Sequence, residues 1–159
     1  MDFINKNWAK AGAFIAVLLV VYVYFIAGKS ISMFQKYAIL NLAFLMFHQF
    51  EEYVLPGRFK EYFNSNISNP MGSVKTKLTD KAILFVNVAL GWGISAIIIL
   101  FFSSNLIAVI SIIGVLFING IIHFFVTFKT RDYNPGVVTG AILFIPLTLY
   151  FMNKVILAG

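Results

Sequence analysis

The chain has 159 residues, 60% of them hydrophobic and only 11% charged, whereas a soluble domain carries roughly a quarter charged residues; there is too little polar surface to coat a water-soluble globule. The net charge of +6 comes without any basic cluster interleaved with aromatics in a soluble module, so it speaks for loop placement and anionic lipid rather than nucleic acid. The absence of cysteine removes disulfides, thiolate metal sites and cysteine nucleophiles.

The apolar residues fall into runs of about twenty, the length that crosses about 30 Å of hydrocarbon. Five such runs predict an all-α membrane protein, a single domain over residues 1–159 built as a five-transmembrane-helix bundle. The first helix is expected over about 8–27, from Trp8 to Ala27. It is too long for the apolar core of a signal peptide and lacks a small-x-small cleavage site. Gly28 suits its left-handed C-cap. The second is expected over about 31–55, with Ser32 and Gln35 at capping-box spacing and Pro56-Gly57 as its stop. The third, about 81–102, has Thr79 or Asp80 as N-cap candidates. Ser103-Ser104 leaves only a tight turn before the fourth, about 105–128, so these two are antiparallel neighbours. The fifth is expected over about 135–157, with Asn134 as N-cap and Pro135 at the first helical position.

Lysine and arginine orient the bundle. With the N-terminus inside, the inner segments hold Lys6, Lys10, Arg58, Lys60, Lys75, Lys77, Lys81, Lys129 and Arg131, nine of the 12 basic residues. Lys29, Lys36 and Lys154 fall outside. The richness in Phe, Ile, Lys and Asn fits an AT-rich bacterial genome, so the expected placement is a multi-pass protein of the bacterial plasma membrane, with its N-terminus cytoplasmic and its C-terminus outside. In the long inner loop, Phe59, Tyr62 and Phe63 share one face of a short segment that suits the membrane interface.

The polar residues within the spans carry the chemistry. At 100° per residue, Glu51 lies about 60° to one side of His48 and Glu52 about 40° to the other, so all three share one face of the second helix. Asn41 lies about 20° off the same line. Charged groups in spanning helices are expensive and face the bundle interior or a wet cavity. Two adjacent carboxylates also raise each other's pKa unless a cation shares them, whether a metal ion, a protonated histidine, or Arg58 or Lys60 folding back. The fourth helix supplies the second histidine, His123, with Asn119 and Thr127 four residues to either side. At 1.5 Å per residue, His48, His123 and Asn87 all sit about 10 Å from the inner ends of their helices. The fifth helix starts at that surface with Tyr133-Asn134-Pro135-Gly136. Its free N–H groups can hold an anion, and Gly136 and Gly140 permit close approach. The inner loop adds a second turn, Asn69-Pro70-Met71-Gly72.

The run His48-Gln49-Phe50-Glu51-Glu52 resembles the signature of the HXXEE-motif family of small bacterial integral membrane proteins. Asn69-Pro70, His123 and Tyr133-Asn134-Pro135-Gly136 resemble its further landmarks. The resemblance implies a shared membrane site and metal-dependent chemistry, and names no substrate. The residues add a concrete set. His48, His123 and Glu51 or Glu52 would ligate a divalent metal, zinc first, with open positions for chemistry. The other glutamate would act as general base, and Tyr133-Asn134 at the fifth helix's N-terminus would stabilise an oxyanion or phosphate. Asn41, Asn87 and Asn119 would be supporting polar groups. The expected activity is hydrolysis or acyl transfer on a lipid or amphiphile at the cytoplasmic leaflet. The alternative is a proton-coupled transporter or lipid-binding membrane protein using the same cluster, with a homodimer supplying the half that alternating access requires.

Overall fold

The computed structural model describes residues 2–66 and 77–158. The predicted Asn69-Pro70-Met71-Gly72 turn and Lys75 lie outside the described residues. The described residues form six helices joined by short loops. Helix α1 runs Asp2–Val21 and continues as a wider π turn, Tyr22–Ile26. Helix α2 is Met33–Tyr53 and α3 is Phe59–Asn66. Helix α4 is continuous from Asp80–Leu84 through a π segment, Phe85–Trp92, to Gly93–Phe101. Helix α5 is Leu106–Thr130, and α6 comprises Val137–Thr139, the π segment Gly140–Phe144 and Ile145–Ala158.

Local chemistry sets most of the ends. Ser32, Thr79 and Asn105 each take extended backbone angles and accept a hydrogen bond from the N–H three residues on, at 3.1, 3.2 and 3.1 Å, which satisfies one of the free donors of each helix. Gly28 is left-handed at φ +50 and closes α1. The last helix departs from expectation. It begins at Val137, because Gly136 sits at φ +105 and breaks the path from Pro135 into the helix. Asn134 is not a side-chain cap there; its amide turns the other way, as described below.

Four helical stretches are long and apolar enough to cross a membrane: Asn7–Ile26, Asp80–Phe101, Leu106–Thr130 and Val137–Leu157. Their outward faces bear Phe25, Ile107 and Phe128, all more than three-quarters exposed, a surface suited to lipid rather than water. Helix α2 is not in this group, because Lys36, Asn41, His48, Gln49, Glu51 and Glu52 interrupt its apolar run. It is instead the centre of the molecule. Of its 21 residues 13 are buried, and all five other helices touch it. Ala16 of α1 packs on Leu42, Ala43 and Met46. Val109, Ile112 and Ile113 of α5 and Leu147 and Phe151 of α6 pack on Ala38 and Ile39.

Small residues decide how near α5 and α6 come. A Cβ on Gly120 would lie 3.1 Å from the Gly140 carbonyl oxygen, and one on Gly140 would lie 3.0 Å from the Gly120 Cα. The backbones therefore touch, as small-residue packing in membranes allows. Helix α3 uses its aromatic face against the protein: Tyr62 is buried, with its hydroxyl 3.0 Å from Thr130 Oγ1, and Phe59 packs on Tyr53. Lys60 ties α3 to the start of α4 through Asp80, 2.6 Å away.

Candidate functional site

The spacing of His48, Glu51 and Glu52 on one helix places them within a turn of each other, but the 100° between adjacent residues sends the two glutamates to different neighbours. Glu52 turns toward α5. Its Oε1 lies 3.5 Å from His48 Nε2 and 3.4 Å from His123 Nε2. The two imidazoles meet edge to face, 4.8 Å between ring centres. His48, Glu52 and His123 are all buried, and one ligand atom from each falls within 4.8 Å of the others. Phe144 and Phe59 press on the two rings at 4.7 and 5.5 Å.

Glu51 turns toward α6 and does not join this group. Its Oε1 accepts from the Tyr133 hydroxyl at 2.5 Å, Gly136 N–H at 3.0 Å and Val138 N–H at 3.1 Å. Its Oε2 accepts from Thr139 N–H at 2.7 Å and the Thr139 hydroxyl at 2.5 Å. Five donors saturate a carboxylate, which has about four lone-pair sites. The anion expected at the N-terminus of the last helix is therefore this glutamate, supplied from within the chain and favoured there by the helix dipole. Partial burial, and then the hydrogen bond and charge of Glu51, push the Tyr133 hydroxyl above its ordinary pKa, so it stays protonated and donates.

Thr139 joins the two halves. Its single hydroxyl proton goes to Glu51, so its oxygen accepts from His48 Nδ1–H, 2.8 Å away. In the neutral ring His48 Nε2 then carries the lone pair, on the side of Glu52 and 3.3 Å from the Asn119 amide nitrogen. A carboxylate, a hydroxyl and an imidazole in series orient the ring and select its tautomer, as outer partners of ligating histidines do. Gly136 completes the packing. A Cβ there would stand 2.6 Å from both His48 Cε1 and His123 Cε1, so this position excludes a side chain for space as well as for its φ of +105.

The other predicted residues divide clearly. Asn119 reaches the site through His48. Asn134 sits beneath His123, donating to its backbone carbonyl at 3.3 Å, and Tyr133 is linked to the site only through Glu51. Asn87 matches the histidines in depth but not in direction. It accepts from Gln49 Nε2 at 3.0 Å, while Gln49 Oε1 accepts from the Trp92 indole at 2.6 Å, a separate, partly buried knot between α2 and α4. Asn41 has a buried Oδ1 without a partner among the described residues, as have His123 Nδ1 and Asn134 Oδ1. Sequence reasoning missed Thr139, Phe59 and Gln49. Thr139, 88 residues beyond Glu51, gives no local signal; Gln49 stood in plain view inside the run.

Beside Asn119 a groove of about 310 Å³ opens between α2, α4 and α5. Leu45 and Leu116 form its floor, Leu90, Ile94 and Val115 its outward walls, and the amides of Asn41, Gln49, Asn87 and Asn119 give it a polar strip.

This is an all-helical protein whose central helix presents a His-x-x-Glu-Glu run to a second histidine. The family described as proteins of unknown function with an HXXEE motif matches residues 39–151, and the chain belongs to it. No curated protein and no solved structure matches the chain.

Proposed function

We propose that the chain is a membrane metalloprotein that holds one divalent cation, zinc first, at His48, Glu52 and His123, and acts hydrolytically or by acyl transfer on an amphiphile. The observation that carries this is the geometry of the three buried groups. Ligands at the usual 2.0–2.1 Å around tetrahedral zinc stand about 3.3–3.4 Å apart; Glu52 Oε1 matches this at 3.5 and 3.4 Å from the two Nε2 atoms, and the three ligand atoms all lie within 4.8 Å of one another, so closing on an ion would draw the two rings together. Two nitrogens and one carboxylate also match the donor set of catalytic zinc, which keeps a further position open.

A bound zinc supplies Lewis acidity toward a carbonyl or phosphoryl oxygen and acidifies water. The chain's own groups do the rest. Thr139 and Glu51 hold His48 in the tautomer that presents Nε2. Phe59 and Phe144 exclude bulk water from the rings. Glu51 is an anchor rather than a general base, since all its lone pairs are engaged. The groove beside Asn119 supports an amphiphile: its walls are apolar, its strip is uncharged amide, and Asn119 belongs to both groove and site.

In this reading α2 also spans the bilayer, giving five spans, with its own length of 21 residues covering about 31 Å. The excess of basic residues on the side of the metal site supports a position near the cytoplasmic leaflet of a bacterial plasma membrane. Elemental analysis of the purified protein tests the metal. Wild type is expected to carry close to one zinc per chain, and His48→Ala, Glu52→Gln and His123→Ala close to none. A folded wild type that stays metal-free after zinc dialysis would overturn the proposal.

A further inference from the structure

The end of the molecule opposite the histidines has an unbalanced charge. Its basic residues are Lys29, Lys36 and Lys154, and all three line one cavity of about 610 Å³ between the end of α1, the start of α2 and the end of α6. None of the six acidic residues of the chain, Asp2, Glu51, Glu52, Glu61, Asp80 and Asp132, belongs to the segments that build this end. Among the described residues no carboxylate pairs with any of the three lysines. Lys36 stands in the first turn of α2, where the helix dipole opposes a cation and favours an anion. Lys154 is turned toward the cavity rim, its Nζ 5.3 Å from the centre of the Tyr150 ring.

The cavity's depth is the opposite in character. Leu40, Phe44 and Leu147 line it toward the core. Three uncompensated ammonium groups above an apolar cleft complement a molecule with an anionic head and a hydrocarbon tail. Basic pockets between spanning helices bind lipid headgroups in this way. We propose that this cavity binds the phosphate of an anionic phospholipid from the leaflet opposite the histidine site, with an acyl chain laid along Leu40, Phe44 and Leu147. The proposal is independent of the metal centre.

The test is native mass spectrometry of the full chain in neutral detergent, titrated with phosphatidylglycerol and with phosphatidylcholine of the same chains. A retained phosphatidylglycerol is expected, held at least tenfold more tightly than phosphatidylcholine. At about fivefold per lysine, the combined Lys29→Gln, Lys36→Gln and Lys154→Gln variant should bind it about a hundredfold more weakly. The corresponding triple arginine variant should restore binding, which separates lost charge from lost fold, and Lys129→Gln at the other end should leave it unchanged. Equal retention of the two lipids, or an unchanged triple glutamine variant, would overturn the proposal. Displacement of the lipid by equimolar inorganic phosphate would overturn the lipid assignment, since it would show that the acyl chain contributes nothing.

Discussion

Replacing Glu51 by glutamine tests the claim that this residue is an internal anion that pins α2 to α6 and sets the state of His48. Glutamine keeps the shape and one acceptor oxygen. If that oxygen takes the three donors now on Oε1, the new NH2 faces Thr139 N–H and the Thr139 hydroxyl, which stand 2.7 and 2.5 Å from Oε2. The hydroxyl can rotate and accept; the N–H cannot. One buried donor is therefore left unpaired, at about 1–3 kcal/mol. The three surviving bonds lose their charge assistance, which roughly doubles such bonds, and the helix N-terminus loses a favourable charge worth about 0.3–1 kcal/mol or more. The sum is roughly 3–5 kcal/mol, close to the cost of breaking a buried ionic contact. On the scale of globular proteins of this size, about 2–4 °C per kcal/mol, the melting temperature followed by circular dichroism in detergent should fall by about 6–20 °C. The rotated Thr139 would also donate to His48 Nδ1 and move the ring proton to Nε2, so zinc affinity should fall about 10- to 100-fold, the usual effect of disturbing an outer partner. A Glu51→Gln variant that melts with wild type and binds zinc equally would refute the anchoring role.

Other outcomes follow from the same geometry. Gly136→Ala places a methyl group 2.6 Å from both imidazoles at a φ of +105; it should abolish zinc retention in elemental analysis and lower the melting temperature, and an alanine variant that keeps its zinc would refute the packing described. Trp92→Phe removes the indole donor from Gln49 Oε1 and should cost about 1–3 kcal/mol in chemical unfolding while leaving zinc content at wild-type level, since the Gln49–Asn87 knot does not touch the histidines. Loss of zinc in Trp92→Phe would mean that the two polar groups act as one.

What could be read from the sequence follows the range of the interactions. The ends at Gly28, Ser32, Thr79 and Asn105 were legible because caps act over three or four residues. The convergence of His48 and His123 was legible because depth along a helix follows from counting residues. Direction across the bundle was not. Depth alone grouped Asn87 with the histidines, and only packing shows it facing Gln49 and Tyr53. The two glutamates were legible as a pair, yet the choice of neighbour for each depended on where α5 and α6 stand around α2. The N-terminus of the last helix was read as a place for a substrate oxyanion or phosphate, but the anion there is Glu51, 82 residues before Tyr133, a partner no local pattern indicates. The first turn of that helix was misplaced for a related reason. Asn134-Pro135 has the composition of a helix start, but the cap is delivered across space, freeing Asn134 to hold the His123 backbone.

X-ray absorption at the zinc edge of the purified, zinc-loaded protein tests the central claim most directly. The account predicts a shell of light atoms at about 2.0–2.1 Å with the outer-shell scattering of two imidazoles, and the loss of this spectrum together with the bound zinc in either His48→Ala or His123→Ala. A spectrum without imidazole scattering, or one unaltered by both substitutions, would contradict it.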